Sequence, residues 1–272
     1  MIVLMLFGPR TTHWIRVFAR NWREIGVSSF FLTSVLRSDR FATMGRLPRA
    51  IEEGLTYHAI NRGNNRADVF VDDDDRLAFL QALATTRQRY PFRLFGYCLM
   101  TNHFHLLLRP EPGQSISRIL QSLTVTHTWR YHKRHRTSGH VWQGRFKSPV
   151  IQDDMHLLVV LRYIEANPLR AAMVADPADY RWSSYPHHGL GREDTLLSGF
   201  PEWDELGATE AERRRRWRAK VRGMQPEDEL TAVRASVRTG RPLGEPGWTE
   251  KIAALLKLDL SPRSRGRPRK MN

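Results

Sequence analysis

Cys98 is the only cysteine in this 272-residue chain. A lone thiol makes no intramolecular disulfide and no thiolate zinc cluster, and such scarcity fits a reducing cytoplasm. Long hydrophobic runs are missing too. No stretch approaches the roughly 20 apolar residues that a membrane-spanning helix needs, so no membrane partner is expected. The opening run Met1–Phe7 is apolar but short, with no positive charge before it, and makes a poor secretory signal. No repeat of solenoid period occurs. Acid is the remaining shortfall: 28 aspartates and glutamates face 43 lysines and arginines, giving a net charge of +15. The pI is about 10.8. A chain this basic is expected to meet a polyanion, nucleic acid before any other, the bland alternative being a ribosome-associated or merely basic protein.

Hydrophobic residues make up 41% of the chain, enough for a real core. The length allows one large domain, or one domain with appendages. Residues 1–43 lack periodicity and stop at Met44. They read as a loose extension, or as a start placed too early with translation beginning at Met44. The compact part begins near residue 46. Thr56–Asn61 has strand character, and Arg62-Gly63-Asn64-Asn65-Arg66 breaks it as a polar, basic loop. Asp72–Asp75 suit a helix N-terminus, with Leu77, Leu80, Leu83 and Ala84 recurring at helical spacing behind them. Phe92–Met100 and His103–Arg109 read as a hairpin. Ser115 caps a helix with Ile116, Ile119, Leu120 and Leu123 on one face, running to about His132. A basic, glycine-bearing stretch follows, Lys133–Lys147, then a fourth strand over 148–152. Asp153 and Asp154 open a last helix holding Met155, Leu158, Val159, Tyr163 and Asn167, with Pro168 just past its end.

That order of elements predicts an α+β fold: a ferredoxin-like βαββαβ core with an antiparallel sheet, followed by an extra helix. Tyr180–Tyr185 reads as a turn and short helix packing aromatics on the core. The core domain is expected over 44–200. Beyond it, 201–258 reads as a small helical appendage with helices over 208–220, 228–237 and 249–256, and 259–272 as a disordered basic tail.

The chemistry centres on Met100-Thr101-Asn102-His103-Phe104-His105-Leu106-Leu107-Leu108. Alternate residues of a strand share a face, so His103 and His105 point one way and Phe104 the other. Such a pair is half of a divalent-metal site, or simply two partly buried rings with hydrogen-bond partners. Tyr163 and Asn167, four apart, lie on one helix face. Asn167 can offer an amide oxygen to a hard cation. Two imidazoles and an amide oxygen suit Mg²⁺ or Mn²⁺ and leave positions for phosphate oxygens. A tyrosine beside them could attack phosphorus, leaving a covalent phosphotyrosine and a free sugar hydroxyl.

These segments resemble a known family. His103-Phe104-His105, Trp142-Gln143-Gly144-Arg145-Phe146-Lys147 and Tyr163-Ile164-Glu165-Ala166-Asn167-Pro168-Leu169-Arg170-Ala171 are similar to motifs of the REP-associated tyrosine transposases. These belong to the single-tyrosine HUH transposases. Tyr57–Arg66 and Asp179–Tyr185 look like family segments as well, so the resemblance covers about 44–190. It implies metal histidines at His103 and His105 and a nucleophile at Tyr163. Asn167 becomes the third ligand, where insertion-sequence relatives carry Gln. It also implies single-strand DNA cleavage beside imperfect palindromic hairpins, followed by strand transfer.

Tyr131, on a basic helix with His127, His132 and His135, is the rival nucleophile. It reads first as a packing or DNA-facing aromatic. Tyr57 and Tyr97 read as strand core, Tyr180 and Tyr185 as packing aromatics. His127, His132, His135 and His140 lack zinc spacing. DNA contacts are expected from Arg62, Asn64, Arg66, Arg134, Arg136, Trp142, Arg145 and Lys147, where cations interleave with aromatics as single strands require. The alternative is a loop whose aromatics anchor the core. Arg265 and Arg267 in the tail form either a minor-groove hook or a generic basic end. Two other functions fit the same fold: a non-catalytic DNA-binding regulator, and an RNA-binding or RNA-cleaving protein. The complete His103, His105 and Tyr163 set favours the enzyme. The expected setting is cytoplasmic, at the bacterial nucleoid, as a monomer or a homodimer.

Overall fold

The computed structural model describes residues 54–258. The extension over 1–43, the Met44 start, and the tail with Arg265 and Arg267 lie outside the described residues. The sheet holds four strands: β1 Thr56–Arg62, β2 Phe92–Met100, β3 His103–Pro110 and β4 Val150–Ile151. Their spatial order is β2-β3-β1-β4, all neighbours antiparallel, which is the ferredoxin-like arrangement. Helices α1 (Asp73–Arg89) and α2 (Ile116–His135) fill the two crossovers and pack together on one face. Phe79 of α1 meets Phe104 there, ring centroids 5.0 Å apart. The extra helix α3 (Met155–Glu165) covers the opposite face, against β2 and β3. Both faces of β3 are therefore covered, which is why its Leu106-Leu107-Leu108 run is apolar without alternation.

Local signals explain the elements. Asp72 caps α1 by accepting from Asp75 N, Ser115 caps α2 through Ser117 N, and Asp154 caps α3 through His156 N. The buried stripe of α1 is Phe79, Ala82, Leu83 and Thr86. Leu77, placed on the apolar face by its spacing, is turned to solvent instead. α3 approaches β2 closely because residue 96 is glycine: a Cβ there would meet Leu161 Cδ1 at 2.2 Å.

Two boundaries differ from expectation. The fourth strand is only Val150–Ile151, although Lys147 already pairs with Ile60 and Pro149 O accepts from His58 N. Pro149 has no N–H to donate, so the ladder is interrupted. The last helix stops at Glu165. A separate short helix, α4 (Asn167–Arg170), carries Pro168 within its first turn, where a missing N–H costs little.

The chain after α4 closes both edges of the sheet. Leu99 N donates to Trp182 O and Ser184 N to Tyr97 O along the outside of β2. At the other edge Leu243 forms a parallel bridge with Ile151. The remaining helices are α5 (Tyr185–Leu190), α6 (Pro201–Asp204), α7 (Glu210–Arg222), α8 (Glu227–Thr239) and α9 (Pro246–Leu255). α6, α7 and α8 all contact α3. Their anchor is Trp217 of α7, fully buried. Among the described residues no helix is long and apolar enough to cross a membrane.

Candidate active site

β3 carries His103 and His105 on the α3 face of the sheet. Their ring centroids lie 5.0 Å apart. α3 and α4 bring Tyr163 and Asn167 over the same spot. The Tyr163 ring sits 5.8 Å from the His105 ring, edge-on. The Asn167 side-chain amide lies 2.9 Å from His105 Nε2. Although α3 ends between them, the backbone continues almost helically. Ala166 N donates to Arg162 O and Arg170 N to Ala166 O, so the i, i+4 relation survives the break. The groups converge within one chain, without a second copy.

His103 has one ring nitrogen engaged by a neighbour and His105 has both. His103 Nδ1 is 2.7 Å from Asn102 Oδ1, which requires a proton on Nδ1 and leaves Nε2 as a bare lone pair. His105 Nδ1 is 2.9 Å from His58 Nε2, a residue of β1 that sequence reasoning passed over. With the proton on His105 Nδ1, its Nε2 lone pair faces Asn167. Second partners of this kind orient metal-binding histidines.

Burial sets the protonation. His58 is fully buried, and burial lowers its pKa to about 3. Burial, helped by the nearby Arg62 charge, lowers His103 to about 4. Burial holds His105 well below its usual value, with His103 and His58 adding to the effect. All three rings are thus neutral near pH 7, the form that can donate a lone pair.

The donor set fits a hard divalent cation. Two neutral imidazoles and a side-chain amide are the donor types such an ion takes, and the Asn167 amide already sits against His105 Nε2, 2.9 Å away. Rotating that amide by half a turn aims its oxygen inward, and such amide assignments follow from hydrogen bonding rather than atom identity. Among the described residues no group of three or more His, Cys, Asp or Glu is placed to hold an ion, so a third donor beside the two imidazoles would have to be of another type, such as the Asn167 amide.

Tyr131 lies across the sheet. Its ring is 4.5 Å from His135, its hydroxyl donates to Asp68 O, and it adjoins His127, which packs on Trp142. Trp142 in turn meets Phe104, whose side of the strand is opposite the histidines. Tyr57, Tyr97, Tyr180 and Tyr185 are buried.

The other expected DNA contacts divide. Arg62 pairs in register with His103 and is exposed at the mouth of the site. Arg66, Arg145 and Lys147 are also exposed. Asn64 N donates to Val141 O and Gln143 N to Arg62 O, which joins the two basic loops into one rim. Asn64 and Trp142 line a cavity of about 470 Å³ with Thr128, His140 and Val141, on the α2 side of the sheet. Trp142 is half-buried, its indole N–H donating to Thr124 O and Thr128 Oγ1. Arg136 is exposed at the left-handed end of α2. Arg134 is engaged by Asp72, Asp74 and Asp75.

Comparison with known proteins places these residues in context. Residues 52–167 match the family model described as transposase, IS200 like. A Haemophilus influenzae protein assigned as a REP-associated tyrosine transposase is 30% identical over 141 residues, covering 44% of this chain and 80% of that protein. Among solved structures, a REP-associated tyrosine transposase bound to a REP hairpin aligns with a TM-score of 0.47 at 18% identity, covering 58% of this chain and 93% of that one. A protein of Deinococcus radiodurans R1, assigned as a transposase, aligns with a TM-score of 0.32 at 18% identity, covering 45% and 94%.

Proposed function

The chain belongs to the REP-associated tyrosine transposases, and on that footing we propose that it cleaves and rejoins single-stranded DNA beside palindromic hairpins through a phosphotyrosine at Tyr163. The observation that carries this reading is the meeting of Tyr163 and Asn167 with His105 on one face of the sheet.

Tyr163 Oη attacks phosphorus as its proton passes to solvent. The bond to the departing sugar oxygen breaks, and that oxygen takes a proton and leaves as a hydroxyl. The strand stays joined to Tyr163 as a phosphodiester. The energy of the broken bond is retained, so a hydroxyl from a second strand can run the step backwards and complete transfer. His103, His105 and Asn167 would hold Mg²⁺ or Mn²⁺, which would neutralise charge developing on the phosphate oxygens. Arg62 draws the phosphate to the mouth of the site. Arg66, Arg145 and Lys147 track the strand as it leaves. The setting is the bacterial nucleoid.

A denaturing gel tests the reading. The protein is mixed with labelled single-stranded hairpin DNA and Mn²⁺. A covalent band is expected, abolished in Tyr163→Phe with hairpin binding kept. It is also expected to vanish with chelator, or in His103→Ala combined with His105→Ala. An adduct persisting in Tyr163→Phe moves the nucleophile elsewhere and rejects the reading. Adduct on a matching RNA hairpin and not on DNA would assign RNA as substrate, and binding with no adduct on either a regulator.

A further inference from the structure

The segment 162–170 faces two ways. Tyr163 and Asn167 turn towards the histidines. Arg162, Glu165 and Arg170 turn towards the C-terminal helices, beyond residue 167 where the family match ends. Arg162 Nη2 donates to Gly223 O at 3.2 Å and Met224 O at 2.8 Å. Glu165 Oε2 accepts from the Trp217 indole at 2.7 Å. Arg170 Nη1 reaches Gln225 Oε1 at 3.4 Å. Gln225 is buried and tied in turn to α3, its amide donating to Val159 O at 3.2 Å.

Arg170 is the member of this set that touches the tyrosine. Its guanidinium lies over the Tyr163 ring, 4.5 Å from the centroid, and also donates to the Tyr163 carbonyl oxygen. One planar group thus grips both the side chain and the backbone of residue 163. Tyr163 is only half-buried, near the end of its helix, and its ring edge faces His105 and His58. Arg170 is thus the flat group stacked on the ring, while the two histidines meet only its edge.

We propose that Arg170 is a positioning residue for Tyr163, braced by Gln225, so that the C-terminal helices fix the direction of the nucleophile. The inference rests on the reading of Tyr163 as the attacking group. Lysine cannot replace arginine here, because an ammonium offers neither the flat face nor the fork that reaches both partners. Gln225 acts one step removed, by holding the guanidinium against the ring.

The test has two readouts. With 3-fluorotyrosine at position 163, the fluorine spectrum of protein free of DNA and metal reports the ring directly. One narrow resonance is expected for the parent and a displaced, broadened one for Arg170→Ala, with Arg170→Lys close to the alanine variant and Gln225→Leu between. The second readout is single-turnover adduct formation on a saturating pool of single-stranded hairpin oligonucleotides with randomised unpaired flanks, in Mn²⁺. Arg170→Ala is expected to slow it by about tenfold to 100-fold, the usual cost of a misplaced reacting group, at an unchanged half-saturating DNA concentration. An unaltered fluorine spectrum in every variant, or rates within about twofold of the parent, overturns the proposal. Should Arg170→Ala fail to fold, Arg170→Lys and Gln225→Leu carry the same comparison. An adduct surviving in Tyr163→Phe would instead reject the nucleophile assignment, a failure the fluorine result does not share.

Discussion

His58 Nε2 lies 2.9 Å from His105 Nδ1, and the two rings stack at 5.1 Å and 28°. One strand thereby fixes the ring orientation of a candidate ligand on its neighbour. His58 Nδ1, buried, has no hydrogen-bond partner among the described residues. An orphaned buried nitrogen costs stability, so the contact to His105 is the polar return His58 shows for its burial.

Replacing His58 by leucine should therefore weaken Mn²⁺ binding by roughly tenfold to 100-fold while His103, His105 and Asn167 remain in place. Isothermal titration with Mn²⁺ measures this. Affinity equal to the parent's would mean that His105 is oriented without help.

The buried histidines give the fold a pH dependence whose sign is fixed. Folded His58 titrates at about 3 and His103 at about 4. Burial of His127, on α2 against Phe79 of α1, lowers its pKa to about 4. Their ordinary value is near 6.5. Between these limits the unfolded chain binds more protons, so stability falls as pH drops below about 6.5 and these groups contribute nothing to the slope above 7. Each unit of depression is worth about 1.4 kcal/mol once the folded value has been passed. Melting temperature measured from pH 7.5 down to pH 4.5 should be level at first and then decline. A level profile throughout would contradict the burial of these rings.

Affinity for single strands should depend on salt in proportion to the phosphates paired. Removing Arg62, Arg66, Arg145 or Lys147 singly should lower the slope of log K against log salt by about 0.7 each. Arg134→Ala should leave it nearly unchanged, because three aspartates already occupy that guanidinium. Fluorescence anisotropy across a salt series separates the two groups, and a full slope change in Arg134→Ala would show that DNA displaces the aspartates.

Glu165 is fully buried and accepts from Ser184 Oγ at 2.5 Å and the Trp217 indole at 2.7 Å, with His188 Nδ1 at 2.6 Å. Trp217→Phe keeps most of the packing and strips one donor from the carboxylate. A loss of about 1–3 kcal/mol is expected from urea unfolding. Trp129→Phe, at a 63% exposed position, should change stability by less than about 0.5 kcal/mol. Equal effects at the two sites would contradict the buried network.

The histidine pair of β3 could be read from the sequence because alternation fixes which side chains share a face, and Tyr163 with Asn167 because helical spacing does the same. The βαββαβ order followed from turn and cap residues that act locally. What stayed hidden depends on partners far along the chain. His58 meets His105 47 residues away, Glu165 meets Trp217 at 52 and Arg170 meets Gln225 at 55. No local pattern records such pairings. Arg134 shows the converse: a basic run looks free for phosphate until the fold brings Asp72–Asp75 against it.

The closure of the sheet by Trp182–Ser184 on one side and Leu243 on the other bears on any attempt to shorten this protein. A fragment trimmed to residues 52–167 would bare the amide and carbonyl rows of β2 and β4 together. Such rows zip onto other copies. A minimal catalytic core cut from this chain should accordingly precipitate or form fibrils, whereas one extended through residue 243 keeps both borders sealed.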